Sequence, residues 1–290
     1  YLQNLKLLDI DKLDILDFIQ NFSKLKELFI KNCHIQNEIN YLYSIKSLTF
    51  EKSKIILNLN ASELKILNLI RCDISNLVLK NNINDILIKI NSTKLNQGDI
   101  NTKNIKSLIF ENYNIMDTSA ISLKAEISEL SFTNSSLDNL LVQDIFNNKI
   151  NKLELVNTTL PSNIFDLITY KSDIKILQIN YKCPKISINP LLMSMFTSLA
   201  TLDLLNCDIE IDLDIIKELK NCKTYYLEGN SYKDITYTSD RSKRGGNLDE
   251  IQVSPIFQEL KAREIDFDLS LDYQDVTGIY STTLTYLHYD

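Results

Sequence analysis

The stretch Leu25-Lys-Glu-Leu28-Phe-Ile30-Lys-Asn-Cys33-His-Ile35 decides the fold. Counting Leu25 as the first place and Ile35 as the eleventh, apolar residues or a thiol occupy the first, fourth, sixth, ninth and eleventh places. Successive side chains of a strand face opposite ways, so Leu28 and Ile30 are expected to point inward and Phe29 outward. One such unit cannot bury its own apolar side, so neighbouring copies must stack on it.

The same pattern recurs along the chain, with starts 19–25 residues apart. A period of about 20–29 residues indicates a repeat architecture rather than two globular domains. The predicted copies begin at Leu5, Leu25, Ile45, Leu64, Ile83, Ile105, Ile127, Ile150, Ile174, Leu199 and Cys222.

Beyond Cys222 the pattern is interrupted. Further copies are predicted to begin near Ala262 and Leu284, and 233–261 is predicted to be irregular. Within it, 239–250 is polar and carries adjacent glycines, which indicates an exposed loop. The chain lacks an initiator Met and opens inside a repeat, so we expect one solenoid over 1–290, a piece of a longer protein with about 12–13 repeats.

The pattern LxxLxLxxCxL resembles that of leucine-rich-repeat proteins, over Leu5 to Tyr232 and more loosely beyond. This resemblance implies an α/β right-handed solenoid, a horseshoe or arc with a parallel concave β-sheet. The family's Asn at the ninth place is kept only at Asn91 and Asn230, and no subfamily is assigned. The resemblance also implies that the outer, convex side carries short strands, irregular segments and some short helices.

The segments between copies vary in a way that fits this arrangement. Ile55–Leu59 and Leu77–Leu79 alternate apolar and polar residues, which favours short extended segments. Asn163–Tyr170 and Leu213–Leu219 have apolar residues three and four apart, which favours short helices. Glu210, Asp212 and Asp214 alternate with apolar neighbours and are predicted to form a solvated strand face, because a calcium loop's central Gly and distal Glu are missing.

Composition excludes several functions. The 31 Lys and Arg against 38 Asp and Glu give a net charge of −7, which argues against a nucleic-acid surface. No apolar run approaches the roughly 18 residues of a membrane span. The only histidines are His34 and His288, placed far apart in the repeat frame, and the five glycines compose no nucleotide-binding motif. The sequence therefore predicts no enzyme activity, no cofactor and no metal.

Two features bear on the compartment in opposite directions. Cys33, Cys72, Cys207 and Cys222 occupy repeat positions that predict buried free thiols, which favours an intracellular compartment. Arg241-Ser-Lys243-Arg244 instead resembles the site cut by furin-like or kexin-like convertases, in a loop that a protease could reach. Processing there would place the protein in a secretory compartment.

The third, fifth and seventh places of each copy are predicted to face outward on the concave sheet. Exposed apolar residues there mark an interaction surface, although relaxed patterning in an Ile-rich chain is the alternative. Acidic residues towards the C-terminus would steer a basic region of the partner. The candidate partner-binding residues are Phe29, Asn68, Leu87, Ile109, Val156, Gln178, Asp203, Tyr226, Glu228, Asp266 and Asp268.

The sequence thus favours a non-enzymatic scaffold that binds a protein or peptide on its concave sheet. Two other hypotheses stay open. One is a secreted or cell-surface recognition or adhesion ectodomain, processed at the dibasic site. The other is the regulatory repeat region of an enzyme whose catalytic domain lies outside this stretch. Fold resemblance alone does not decide among them.

Overall fold

The computed structural model describes residues 2–10, 22–35, 39–42, 44–80, 82–114, 120–169, 171–180, 188, 190–207, 209–227, 230–232, 258–259, 262–263, 268–273 and 280–285. It shows a mostly parallel β-sheet solenoid of stacked coils with few helices, in agreement with the predicted repeats. The chain forms two compact units, Tyr1–Leu160 and Pro161–Asp290.

In its described residues, the first unit contains two parallel sheets and one helix. Its strands are β1 (Asn4–Leu8), β2 (Glu27–Lys31), β3 (Ile39–Tyr41), β4 (Ser47–Glu51), β5 (Lys54–Asn60), β6 (Ile66–Ile70), β7 (Asp73–Leu79), β8 (Asn84–Asn91), β9 (Lys94–Leu95), β10 (Gln97–Ile100), β11 (Asn104–Glu111), β12 (Ala120–Leu123), β13 (Glu126–Thr133) and β14 (Ile150–Val156). The first sheet runs β1-β2-β4-β6-β8-β11-β13-β14. The second sheet runs β3-β5-β7-β10-β12, and β9 pairs with β7. Each coil therefore supplies one strand to the first sheet before the chain crosses to the other side.

After β13 the second-sheet strand is replaced by helix α1 (Asn139–Asn147). The carboxylate of Asp138 caps this helix by accepting a hydrogen bond of 2.9 Å from the backbone N–H of Leu141. Leu141, Val142 and Ile145 lie on the buried side of the helix. The sequence did not predict this helix, because the helices expected from it lie only within Asn163–Tyr170 and Leu213–Leu219.

The core of the first unit is a ladder of inward side chains. Leu28, Ile30, Leu67, Leu69, Leu108 and Phe110 are each at most 2% exposed, as the fourth and sixth places predict. Phe110 stacks on Phe132 of the next coil with ring centroids 4.6 Å apart. A pair of this kind adds about 0.5–1.5 kcal/mol beyond its buried area. Stacked coils thus bury what one coil alone would expose.

The turn after each first-sheet strand contains a residue in the left-handed region. These residues have φ between 47° and 55°, at Asp9, Asn32, Lys52, Arg71, Ser92, Asn112, Asn134 and Asn157. Asn and Asp tolerate this conformation better than other residues with a side chain. The backbone N–H at this place donates to the next coil, for example from Asn32 to Glu51 O at 2.9 Å. The turn thereby keeps successive coils in register.

The second unit contains shorter elements, and its central sheet of three strands, β15 (Ile176–Asn180), β16 (Thr201–Asp203) and β18 (Thr224–Tyr226), is also parallel. β17 (Glu210–Ile211) pairs in parallel with β19 (Ser231–Tyr232). The elements are a 3₁₀ helix (Ile164–Leu167), β15 (Ile176–Asn180), α2 (Pro190–Met193), β16 (Thr201–Asp203), β17 (Glu210–Ile211), α3 (Leu213–Glu218), β18 (Thr224–Tyr226), β19 (Ser231–Tyr232), β20 (Asp268–Tyr273) and β21 (Tyr280–Thr285). The helices expected within Asn163–Tyr170 and Leu213–Leu219 are confirmed.

The acidic run at 210–214 is not one strand face. Glu210 belongs to β17, but the Asp212 carboxylate accepts a hydrogen bond of 3.0 Å from Asp214 N and caps α3. Capping by Asp explains why the strand ends there, because an Asp side chain offers an acceptor to the unpaired N–H groups of a helix start. The prediction of a continuous solvated strand is therefore wrong.

The inward places of the predicted copies near Ala262 and Leu284 lie outside the described residues. β20 and β21 form an antiparallel pair, in which Asp268 lies opposite Thr285. Six residues join the two strands in sequence, whereas a parallel crossover needs a dozen or more. The predicted irregular segment 233–261 with its loop 239–250 lies outside the described residues, apart from 258–259. That one solenoid continues over 1–290 stays a prediction.

Two predicted frames need correction. In the first coil, Leu5 pairs with Leu28 and Leu7 with Ile30, so the copy begins at Leu2 rather than Leu5. A start at Leu2 and a start at Leu5 both place a leucine three residues later. Only the pairing of β1 with β2 distinguishes the two starts. As a result Leu8, which the Leu5 frame turns inward, is 45% exposed.

The frame of β8 shifts by two residues. Ile88 pairs with Leu67, so Ile88 rather than Ile86 occupies the fourth place. Asp85 has φ 53°, and the register of β8 against β11 is irregular around Ile86, which accommodates the extra residues. Asn91 is consequently at the seventh place, and Thr93 takes the ninth.

Candidate binding face

The outward side of the first sheet in the first unit carries five of the eleven candidate residues. It is formed by the third, fifth and seventh places of its strands, and we call it the outward face. The residues at the fifth place form one row across the strands. By strand register this row contains Lys6, Phe29, Thr49, Asn68, Lys89, Ile109, Ser131 and Glu154.

The structure brings three candidates, Phe29, Asn68 and Ile109, into this row. Leu87 is at the third place, beside Ile66, because of the β8 frame shift. Val156 is at the seventh place, beside Thr133. All five side chains are half-buried. Leu87 is therefore not at the fifth place that the copy beginning at Ile83 predicts, whereas Val156 is at its predicted seventh place.

Phe29 lines a shallow, open depression at the β1 end of the face. The Lys6 ammonium lies 5.2 Å from the centroid of the Phe29 ring, a cation–π contact. The next residue in the row is Thr49, whose hydroxyl accepts a hydrogen bond of 3.1 Å from the Asn68 amide. The depression is lined by Asn4, Leu5, Lys6, Glu27, Leu28, Phe29, Ser47 and Thr49.

Much of the charge on the outward face is paired within it. Lys31 Nζ lies 2.9 Å from Glu51 Oε1, and Lys89 Nζ lies 2.7 Å from Glu111 Oε1. The hydrogen bond from Lys31 holds the pKa of the Glu51 carboxyl below its usual value. Each pair joins adjacent strands, and the opposite charges lie directly across from each other or two places apart. The central part of the face is thereby close to neutral.

Three partly exposed aliphatic side chains of the face, Ile66, Leu87 and Ile109, lie on adjacent strands, and we call them the aliphatic patch. Ile66 pairs with Leu87 across β6 and β8, and Ile66 is 39% exposed. Ile109 lies one strand further, opposite Lys89. An apolar cluster with polar neighbours on a sheet is typical of interaction sites.

The ninth place explains how the turn beside this face is held. The Thr93 hydroxyl accepts from Cys72 N at 3.2 Å and donates to Leu69 O or Asn91 O, both at 3.0 Å. Ser53 likewise accepts from the backbone N–H of Cys33 at 3.1 Å. Buried backbone groups of one coil are thus satisfied by side chains of the next. The equivalent residues in the first unit are Cys33, Ser53, Cys72, Thr93, Tyr113, Ser135 and Thr158.

The predicted free thiols are confirmed. Cys33, Cys72, Cys207 and Cys222 are buried and unpaired with another cysteine. Burial raises the pKa of Cys72, and it raises that of Cys222 from 9.0 to about 11. Such thiols are protonated at neutral pH and are poor nucleophiles.

In the second unit, Gln178, Asp203 and Tyr226 form a separate fifth-place row across β15, β16 and β18. Asp203 is only 5% exposed. Its Oδ2 accepts from Gln178 Nε2 at 3.1 Å, and the amide nitrogen of Asn180, turned towards it, reaches Oδ1 at 2.9 Å. Because its charge is buried and bonded to neighbouring amides, Asp203 is poorly placed to attract a partner through solvent.

Several predicted residues cannot be placed in a site. Glu228 and Asp266 lie outside the described residues, as do Arg241, Lys243 and Arg244 of the predicted processing site. Asp268 is the first residue of β20. Steering of a basic partner region by Glu228, Asp266 and Asp268 therefore stays a prediction.

The sequence did not single out Ile66 and Ile70 as candidate residues, although both were placed in outward columns. It also missed a row of lysines at the second place, Lys26, Lys46 and Lys65. The signal for this row was the lysine that directly follows the first apolar residue in these three copies.

Comparison with known proteins assigns the chain to no family. No protein-family model matches the chain, and a search of curated proteins finds no match. Within the described ranges, no three His, Cys, Asp or Glu side chains are grouped as metal ligands would be. In the same part of the chain, no helix is both long and apolar enough to cross a membrane.

Proposed function

We propose that the coils are leucine-rich repeats and that the protein is a non-enzymatic scaffold that binds a polypeptide on the outward face of the first unit. The repeat assignment is supported by the LxxLxLxxCxL spacing, by the left-handed turn after each first-sheet strand, and by the hydrogen-bonding side chain at the ninth place. It is also supported by the change from strands to helix α1 on the opposite side of the coils.

The observation that carries the binding proposal is the aliphatic patch. Ile66, Leu87 and Ile109 lie on three adjacent strands whose backbone groups are paired on both sides. The patch therefore cannot be covered by extending the sheet, and a partner must cover it with side chains. A few desolvated apolar anchors supply most of the energy of a protein interface.

Spacing favours a polypeptide over a small ligand. Phe29 and Ile109 lie in the same row four strands apart, which is roughly 19 Å at about 4.8 Å per strand. An extended peptide covers that distance with about six residues at 3.3 Å each. The face is also open rather than enclosed, whereas small-molecule sites bury most of their ligand.

Selection of a random peptide library on the immobilised protein tests the proposal. Selected peptides should bind Ile109→Asp about tenfold more weakly or worse, a loss of at least 1.4 kcal/mol. The matched control is Val78→Asp, which introduces the same charge at a half-buried outward position of β7 in the second sheet. Equal thermal midpoints for the two variants would show that neither result comes from unfolding.

Two results would overturn the proposal. One is that selected peptides bind Ile109→Asp as tightly as the parent. The other is that Val78→Asp abolishes binding, which would move the site to the second sheet.

A further inference from the structure

The second-place lysines form a row along one edge of the outward face. The backbone N–H of Lys46 donates to Lys26 O at 2.8 Å, and that of Lys65 donates to Lys46 O at 2.8 Å. These bonds place the three residues directly over one another on adjacent coils, about 4.8 Å apart. All three side chains are exposed. We call this set the lysine row.

The row lacks the ion pairs that Lys31 and Lys89 form on the outward face. Among the described residues, no ion pair joins Lys26, Lys46 or Lys65 to a carboxylate. Lys65 Nζ donates to the backbone O of Asn84 at 2.9 Å and, in the described residues, forms no ion pair with the adjoining Asp85. Glu27 and Glu63 are the nearest acids in sequence, and neither forms an ion pair with the row. Like charges on neighbouring strands repel, so the row by itself disfavours the stacked coils.

Another set of lysines in the same unit shows the contrast. Lys54 and Lys94 begin β5 and β9 of the second sheet, and both pair with the same residue of β7, Asp73. A carboxylate therefore separates these two positive charges. At the lysine row the position between Lys26 and Lys65 is occupied by a third lysine instead.

The lysine row adjoins the aliphatic patch. Lys65 directly precedes Ile66, and Ile66 pairs with Leu87 on the next strand. We infer that the polypeptide bound on the outward face carries an acidic segment that lies along Lys26, Lys46 and Lys65 while its apolar side chains cover the patch. This inference rests on the proposed function and specifies the chemistry of the partner.

An acidic peptide fits this arrangement better than a nucleic acid or a sulfated glycan. A polyanion would contact the lysines but leave Ile66 and Leu87 exposed. The net charge of −7 would also repel a long polyanion outside the immediate reach of the row. A short acidic segment has both the charge and the apolar groups that the two adjoining surfaces can bind.

Peptides are selected from a random library on the parent protein. The test then compares their affinity for the parent with their affinity for two double variants. Lys26→Gln with Lys46→Gln removes charge from the lysine row, and Lys54→Gln with Lys94→Gln removes the same charge elsewhere. Peptides selected on the parent should be enriched in Asp and Glu. They should bind the first variant about tenfold more weakly, bind the second like the parent, and lose affinity as salt is raised.

The outcomes separate this inference from the proposed function. Peptides that depend on Ile109 but lack acidic enrichment, or that bind the lysine-row variant like the parent, overturn the inference and leave the scaffold proposal in place. Peptides that do not depend on Ile109 overturn the scaffold proposal itself. Heparin binding that is lost in the lysine-row variant but kept in Ile66→Asp would assign the row to a polyanion and also overturn the inference.

Discussion

Replacing Thr93 with Val tests whether the ninth-place hydroxyls hold the coils together. Thr93 is 6% exposed, and its hydroxyl bridges two coils by accepting from Cys72 N and donating to Leu69 O or Asn91 O. Val has nearly the same shape, so Thr93→Val removes the hydrogen bonds without opening a cavity. The variant therefore isolates the polar contribution.

The cost follows from the groups that are left behind. The Cys72 N–H loses its acceptor inside the protein, and an unsatisfied buried donor costs about 1–3 kcal/mol. The hydroxyl can donate to only one of its two carbonyl neighbours at a time, so the substitution removes one further bond of about 1 kcal/mol. Burying a methyl group in place of the hydroxyl offsets roughly that amount. We expect Thr93→Val to lower the free energy of unfolding by about 1–3 kcal/mol.

The assay combines urea unfolding with hydrogen exchange of the Cys72 amide. The matched control is Thr133→Val, the same chemical change at a half-buried seventh place on the outward face. The control should change stability by less than about 0.5 kcal/mol. If Thr93→Val unfolds at the same urea concentration as the parent and the Cys72 amide exchanges no faster, the hydroxyl does not hold the coils and the reasoning is refuted.

Three further predictions concern stability. Leu67→Ala should cost about 2–5 kcal/mol in urea unfolding because Leu67 is fully buried, whereas Ile66→Ala on the outward face should cost much less; equal losses would contradict the repeat frame. Lys52→Asn should raise the thermal midpoint, because φ at Lys52 is 50° and Asn tolerates that conformation better; a lower midpoint would argue against it. Burial raises the pKa of Cys222 to about 11, so the folded state keeps a proton that the unfolded state loses near 9.0. Stability should therefore fall between these pH values, and Cys222→Ala should make the fall smaller in urea unfolding at several pH values; an identical fall would contradict the assignment.

The sequence predicted the parts of the fold that depend on the repeat period. Leu67 and Leu69 are inward because stacked coils bury the fourth and sixth places, whatever the surrounding sequence. The short strands around Ile55–Leu59 and Leu77–Leu79, and the helix within Leu213–Leu219, followed from apolar spacing alone. These features are local, so one sequence suffices to predict them.

Features that depend on pairing between strands were not accessible. Residues 268–272 fall in the predicted copy near Ala262, yet β20 pairs antiparallel with β21, because six connecting residues are too few for a parallel crossover. Asp212 alternates with apolar neighbours as in a strand, yet it caps α3. The lysine row was missed for a related reason, since its members are far apart in sequence and meet only through the hydrogen bonds of the coils.

The two frame errors have different consequences for the binding face. A shift by an odd number of residues turns a strand's side chains to the opposite face. The predicted frame of β1 is wrong by three residues, so Leu8 was predicted to point inward, whereas it is exposed. In β8 the predicted frame is wrong by two residues, so Leu87 stays on the outward face. The fifth-place row, where Leu87 was predicted, contains Lys89 instead, and Lys89 forms an ion pair with Glu111. The apolar anchors consequently run obliquely, from Ile66 and Leu87 at the third place to Ile109 at the fifth. A bound peptide that uses all three must therefore cross the strands at an angle, and its end near β6 would lie beside the lysine row.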